Sequence, residues 1–408
     1  MKLHHNIWKL AIVKASKWLM LIMPIIWLFY EDNGLTITDL FLIQSIYSLT
    51  IALIEIPSGY VADILGRKLA IILGTFFAVV GMSIYSMSSD FEWFLIAALS
   101  LGIGQSFISG SDTALMYDSL LELGRENEFV KLEGRIVAVG NISEALAFII
   151  GGLLAEISLR TPFYAQVIVA LIGFLTALTI VEPSVHKPIK NNTRTVARKA
   201  SFDEIKNIIH YSLVKHIVLR HYIIFSAVIG TATLAMAWFS QPLFMSVGIV
   251  SAFHFGLIGA ALNTVVAIVS FYAHKVETII DTGILLVAIL LFISGCYLLL
   301  GIKNMPWTLA ILVIFYLIRG VATPVLRDYV NRYTPSSMRA TVMSIRSFIT
   351  RVIFAVLSPF LGAIAEAYSV QQALFFAGFI FFFCCLWSII FLLTFKSDNI
   401  PSPEPVGN

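Results

Sequence analysis

Apolar residues come in about twelve long runs, separated only by short polar turns, and this constrains the fold more than any other feature. The runs cover residues 8–30, 36–62, 69–88, 92–119, 135–158, 161–181, 218–246, 252–274, 282–301, 306–330, 340–365 and 370–395. A helix crossing a hydrocarbon core of ~30 Å needs roughly 20 such residues, and tilted barrel strands are about half that length. The chain is 59% hydrophobic and 12% charged, against about 25% charged in soluble domains. These numbers predict an all-α membrane protein. Lys2 and Lys9 precede the first run as they would in a signal peptide, but no small-residue cleavage site follows, and Glu31 and Asp32 end the run. It reads as an uncleaved first helix.

Between the sixth and seventh runs lies the one long polar stretch, with Pro183, Pro188 and basic residues from Lys187 to Lys215. It divides the chain into residues 1–181, a linker 182–217, and residues 218–408, which end in a short tail. Lys and Arg mark cytoplasmic loops. The linker shares its side with Arg67, Lys68, Arg125, Lys131, Lys275, Arg332 and Arg339. The other side carries only Arg160 and Lys303 against Glu31, Asp32, Asp39, Asp90 and Glu92. Both termini are therefore expected in the cytoplasm, in a multi-pass protein of the plasma (inner) membrane. Equal sets of spans about a central loop match transporters built from repeats, whose halves rock around a midplane site.

Other classes find little support. A net charge of +3 without a basic stripe gives no nucleic-acid signature. Cys296, Cys384 and Cys385 sit in apolar runs without metal-ligand spacing and read as packing residues. The eight histidines are scattered, and no glycine-rich loop ends in Gly-Lys-Ser or Gly-Lys-Thr. No enzyme, metal centre or cofactor is expected. The sequons at Asn141 and Asn191 fall within a span and in the linker, and carry no functional weight.

Between the second and third runs, Gly59, Asp63, Gly66, Arg67 and Lys68 form a spaced cluster in a short hairpin. Glycines permit a tight turn there, a carboxylate near helix N-termini gains from their dipoles, and Arg67 can pair with Asp63 or a neighbour. The spacing resembles the loop signature of the major facilitator superfamily, from which Ile64 departs. That resemblance implies twelve transmembrane helices in two pseudo-symmetric six-helix halves. It also implies a conformational latch completed by an acid at the end of the fourth span, for which Asp118 is the match. Two other signatures are weak: Ala98 stands where many proton-driven members have arginine, and Phe148 replaces the proline common in antiporters.

A charge at the centre of a spanning helix costs about 2.5–3.5 kcal/mol on insertion scales, so each is a functional hypothesis. The first half holds Glu55, Asp112 and Glu144 within spans, and the second Arg319, Arg346 and Arg351. Helical spacing groups Gln44, Ser48, Glu55 and Ser58, then Gln105, Ser109 and Asp112, then Asn141 with Glu144, Tyr316 with Arg319 and Thr323, and Trp238 near Gln241. Arg319, Arg351, Tyr316, Asn141, Gln105, Trp238, Gln241 and Asn263 are the candidate cavity residues. Burial favours a neutral carboxyl and a nearby arginine a charged one, so an acid whose partner comes and goes moves protons. Glu144 is the first choice for that role, then Asp112 and Glu55. Glu144 and Arg351 read first as substrate or coupling-ion contacts, with a fixed ion pair as the alternative, and Asp112 could serve the latch with Asp118. The resemblance brings the second span against the eleventh, which suggests a Glu55–Arg346 pair. Lys14 and Lys17 are expected to snorkel to the interface.

The expected function is secondary transport of a small polar or charged solute by alternating access, as proton-coupled symport. Efflux by proton antiport is the alternative, and a sensor on the same scaffold a more distant one. The expected partners are that solute, a coupling proton or sodium ion, and the lipid bilayer, with the chain acting as a monomer.

Overall fold

The computed structural model describes residues 3–184, 205–302, 307–335 and 338–394. Most of the linker, Lys187 and Lys303, and the C-terminal tail lie outside the described residues. Among the described residues, fourteen α-helices make up twelve membrane-length spans. In chain order they are α1 Asn6–Trp18, α2 Ile26–Asp32, α3 Ile37–Leu65, α4 Arg67–Met87, α5 Phe91–Ile108, α6 Ser111–Glu122, α7 Phe129–Ala155, α8 Thr161–Leu178, α9 Ile217–Ser246, α10 Ala252–Ile279, α11 Thr282–Leu300, α12 Thr308–Arg332, α13 Arg339–Ala367 and α14 Val370–Thr394. Lipid offers no partner for backbone N–H and C=O groups, so a chain this apolar must bond them internally, as helices do. Where helices begin, side chains supply the missing acceptors: the Thr36 hydroxyl accepts from Asp39 N at 3.2 Å, and the Asp281 carboxylate accepts from Gly283 N at 2.8 Å.

By internal contacts the chain forms two units, Met1–Thr193 with Phe244–Ala261, and Arg194–Leu243 with Leu262–Asn408. The first unit is pinned at one membrane face by an aromatic cluster of Phe29, Tyr30, Tyr85, Phe94 and Phe163. Within it the Tyr30 and Tyr85 hydroxyls share a hydrogen bond of 2.6 Å. Arg160 lies over the Phe29 ring and donates to the carbonyls of Ser86 and Ser88 and to the Asn33 side chain. At the other face Leu10, Val13, Ile71, Leu115, Leu120 and Ile180 form the core. In the second unit the Tyr297 hydroxyl donates to Ala232 O at 2.7 Å, and Thr231 donates to Thr350 O at 3.1 Å.

Two spans read as continuous in the sequence are broken. Span 1 is α1, an irregular stretch, a 3-10 turn Met23–Ile25 and α2. Span 4 is α5 and α6, parted at Ser109 and Gly110, whose φ is +80°. α1 ends at Trp18, and Pro24, with no N–H to bond to a preceding turn, keeps the helix from resuming before the 3-10 turn; a left-handed residue ends the helix at the second break. Irregular backbone at membrane depth survives only inside protein or along a cavity. Leu21 and Ile22 are buried accordingly, and Leu21 N donates to the Gln166 side chain at 2.7 Å. Gly151 of α7 faces this break: a Cβ there would sit 2.0 Å from the Leu21 carbonyl oxygen.

Candidate functional site

The two breaks flank an ion pair. Lys14, in the last turns of α1, places Nζ 3.2 Å from Oδ2 of Asp112, in the first turn of α6, with side chains 16% and 11% exposed. Lys14 lies eleven residues into its span and Asp112 ten from the end of its own. These spans are 30 and 32 residues long and overrun a ~30 Å core, so both groups lie within the apolar part of their helices, nearer one end than the middle. The other Asp112 oxygen accepts from Thr113 N at 2.9 Å, where the α6 dipole favours negative charge. The Thr113 hydroxyl donates to Glu133 of α7 at 3.1 Å. Lys14 thus does not snorkel: an acid stands within reach, and removing one member of a buried pair costs about 3–5 kcal/mol. The sequence signal for this site was Gly110-Ser111-Asp112, a helix-start pattern inside an apolar run.

The hairpin between α3 and α4 forms a second polar centre. Gly66 turns the chain at φ +106°, which releases Arg67 N and Lys68 N to donate to the Glu182 carboxylate at 2.9 and 2.6 Å. The Arg67 guanidinium pairs with Asp118 and donates to Ala114 O at 2.6 Å. Asp63 is exposed at the end of α3, and Gly59 has open space around it. Sequence reasoning missed Glu182, although an acid beside Pro183 at the end of a span is a visible signal. Nearby, Asn6 donates to Ser119 Oγ and Val181 O and accepts from Val181 N, joining α1, α6 and the end of span 6.

The remaining predicted residues are distributed within their own units. Glu55 is half-buried on α3, where Ser58 donates to Ser106 O at 2.9 Å. Gln105 and Glu144 are half-buried, and Asn141 is exposed. In the second unit Arg346 donates to both the hydroxyl and the carbonyl of Ser226. Arg319 lies 5.3 Å from the centroid of the Tyr316 ring, and Tyr316 shares a 3.4 Å hydroxyl contact with Ser240. Gln241 is buried, while Trp238, Asn263 and Arg351 are half-buried. Cys296 and Cys385 are buried as packing residues would be, whereas Cys384 is exposed. Among the described residues no three His, Cys, Asp or Glu side chains converge as metal ligands would.

Where α7 ends, the exposed Glu156 carboxylate accepts from Phe253 N and the Ser251 hydroxyl, both at 3.0 Å, and so caps α10. The Phe253 amide, then the Ser251 hydroxyl, hold its carboxyl below the ordinary value of 4.5, with slight desolvation opposing and a smaller contribution from His254. A depressed carboxylate adds stability above its unfolded value and loses it as pH falls through the folded one. Glu156→Gln should therefore lower the melting temperature at neutral pH, and the difference from the parent chain should vanish on acidification below the carboxylate range.

A bundle of twelve membrane-length helices, two of them interrupted beside a largely buried ion pair, is an architecture known among membrane transporters. The family model described as Major Facilitator Superfamily matches residues 15–349, and the chain belongs to that family. The Quinolone resistance protein NorA of Staphylococcus aureus is 27% identical over 173 residues, covering 42% of this chain and 42% of NorA. The chain thus spans less than half the length of that curated relative. Among solved structures, the nucleoside transporter NupG superposes with a TM-score of 0.71 at 15% identity, covering 98% of this chain and 99% of that one. The D-xylose-proton symporter gives a TM-score of 0.72 at 13% identity over 97% and 98% of the two chains. Both likenesses establish the fold.

Proposed function

We propose that the chain moves a small polar or charged solute by proton-coupled alternating access, with Asp112 as the coupling carboxylate and both termini in the cytoplasm. The observation that carries this reading is the largely buried Lys14–Asp112 pair, held where spans 1 and 4 are interrupted. Discontinuous helices are where transporters of several folds hold substrate and ion. Glu144 and Glu55 remain secondary coupling candidates, supported by their depth. Arg67 with Asp118 is the proposed latch, and Arg319 with Tyr316 the proposed solute contact in the second unit.

Symport is the first reading. Efflux is the second, favoured by the match to a protein named for quinolone resistance. Purified chain in proteoliposomes under an imposed pH gradient separates them. Accumulation of a solute moving with the proton supports symport, and accumulation moving against it supports efflux. A flux indifferent to the gradient would end the proton-coupled reading.

A further inference from the structure

We propose that Lys14 is the receptor for an anionic solute, so that proton and anion bind together or not at all. The inference rests on the proton-coupled reading above and assigns the substrate class. A proton on Asp112 alone would leave the Lys14 ammonium buried without its counter-ion. An anion on Lys14 alone would leave the Asp112 carboxylate unpaired in the same place. Both half-filled states are disfavoured, because a lone charge at this depth is far costlier than a pair. The empty state, with Nζ 3.2 Å from Oδ2, and the doubly filled state are both satisfied. The doubly filled state holds a neutral acid beside an ammonium–anion pair. Linkage makes the effect reciprocal: each ligand raises the affinity for the other by the same factor.

The pair itself favours an anion over a cation: a cationic solute taking Asp112 would leave the Lys14 ammonium without a counter-ion, whereas an anion entering with a proton replaces the counter-ion that Lys14 loses. The charged groups joined to Asp112 are Lys14 on α1, directly, and Glu133 on α7, through Thr113, while Arg67 on α4 is engaged by Asp118. Lys14 is the cation in direct contact, and it becomes available to an anion when Asp112 takes up a proton.

Calorimetric titration of the purified chain, in buffers of differing ionisation enthalpy, tests this with benzoate, lactate and inorganic phosphate as anion probes and tetraphenylphosphonium as the cation. The expected result is binding of an anion with uptake of a proton, and affinity about tenfold higher at acid than at neutral pH. Lys14→Gln should lose anion binding and Lys14→Arg should restore it, while Asp112→Asn should bind the anion with no pH dependence. The double variant Lys14→Gln/Asp112→Asn, which buries no charge at this site, should fold and bind no anion. Anion binding without proton uptake, pH-dependent anion binding that survives Lys14→Gln, or no binding by any of the anions would overturn the proposal. Proton-driven flux of the cation alone in proteoliposomes would sink the anion assignment and leave the transporter reading standing. Loss of all gradient-driven flux would instead remove the reading on which it rests.

Discussion

Asp112→Asn is expected to abolish uphill transport, lowering solute accumulation under a pH gradient by about 100-fold, while exchange of solute between two equal pools continues. The asparagine oxygen can still accept from Thr113 N, as Asp112 does at 2.9 Å, so this hydrogen bond in the first turn of α6 persists. It carries no proton between the two sides of the membrane, so the driving force is uncoupled from the solute. Lys14 is also left without its counter-ion. With side chains 16% and 11% exposed, the loss of stability should fall near the low end for a buried pair, about 3 kcal/mol. Accumulation and exchange measured on the same vesicles separate the two effects. Equal loss of both would show that the residue is needed only for folding, and full retention of accumulation would remove it from coupling.

Gly151→Val should be the most disruptive single change to the first unit. A Cβ at Gly151 would lie 2.0 Å from the Leu21 carbonyl oxygen and 2.9 Å from Pro24 Cγ. The obstacle is backbone and a proline ring, neither of which can swing aside as a flexible side chain would. The interrupted stretch of span 1 must shift, which endangers the 2.7 Å bond from Leu21 N to Gln166 and leaves a donor unpaired inside the membrane. Overpacking costs about 1–3 kcal/mol where side chains can adjust, and occasionally more, so a rigid obstacle should cost at least about 3 kcal/mol. The readout is thermal denaturation followed by size-exclusion chromatography, with Gly134→Ala as the control on the same helix. A Cβ at Gly134 meets nothing within 4 Å, and alanine favours the helix by about 1 kcal/mol. A Gly151→Val chain as stable as its parent would show that α7 and span 1 are not held as close as described.

Much of the architecture was legible in the sequence, because spanning helices obey one local rule. Each needs a long enough apolar run, and Glu31, Asp32, Asp90 and the Gly66 turn end runs visibly. The hairpin acid and base were legible as types, yet the partner of Arg67 on α6, Asp118, lies 51 residues further along the chain. Glu182 escaped notice because its role is to accept from the first amides of α4, 115 residues earlier in the chain. Span 5 begins with α7 at Phe129, several residues before the apolar run. Helical backbone there continues through Lys131, Glu133 and Arg135, which hydropathy alone assigns to a loop.

What the sequence determined by itself is the number of apolar helices long enough to cross a membrane and the kinds of charge they carry, since these follow from local composition and helix length. Tertiary structure alone decided where the helices break and which charges meet. Pro24 and Gly110 permit interruption, but the backbone opens only because Gln166 receives the Leu21 amide and Gly151 leaves room for its carbonyl. Lys14 and Asp112 are 98 residues apart, and no periodicity relates the faces of two separate helices. Their meeting depends on packing, and it turns a lysine that composition assigns to the interface into half of a buried pair.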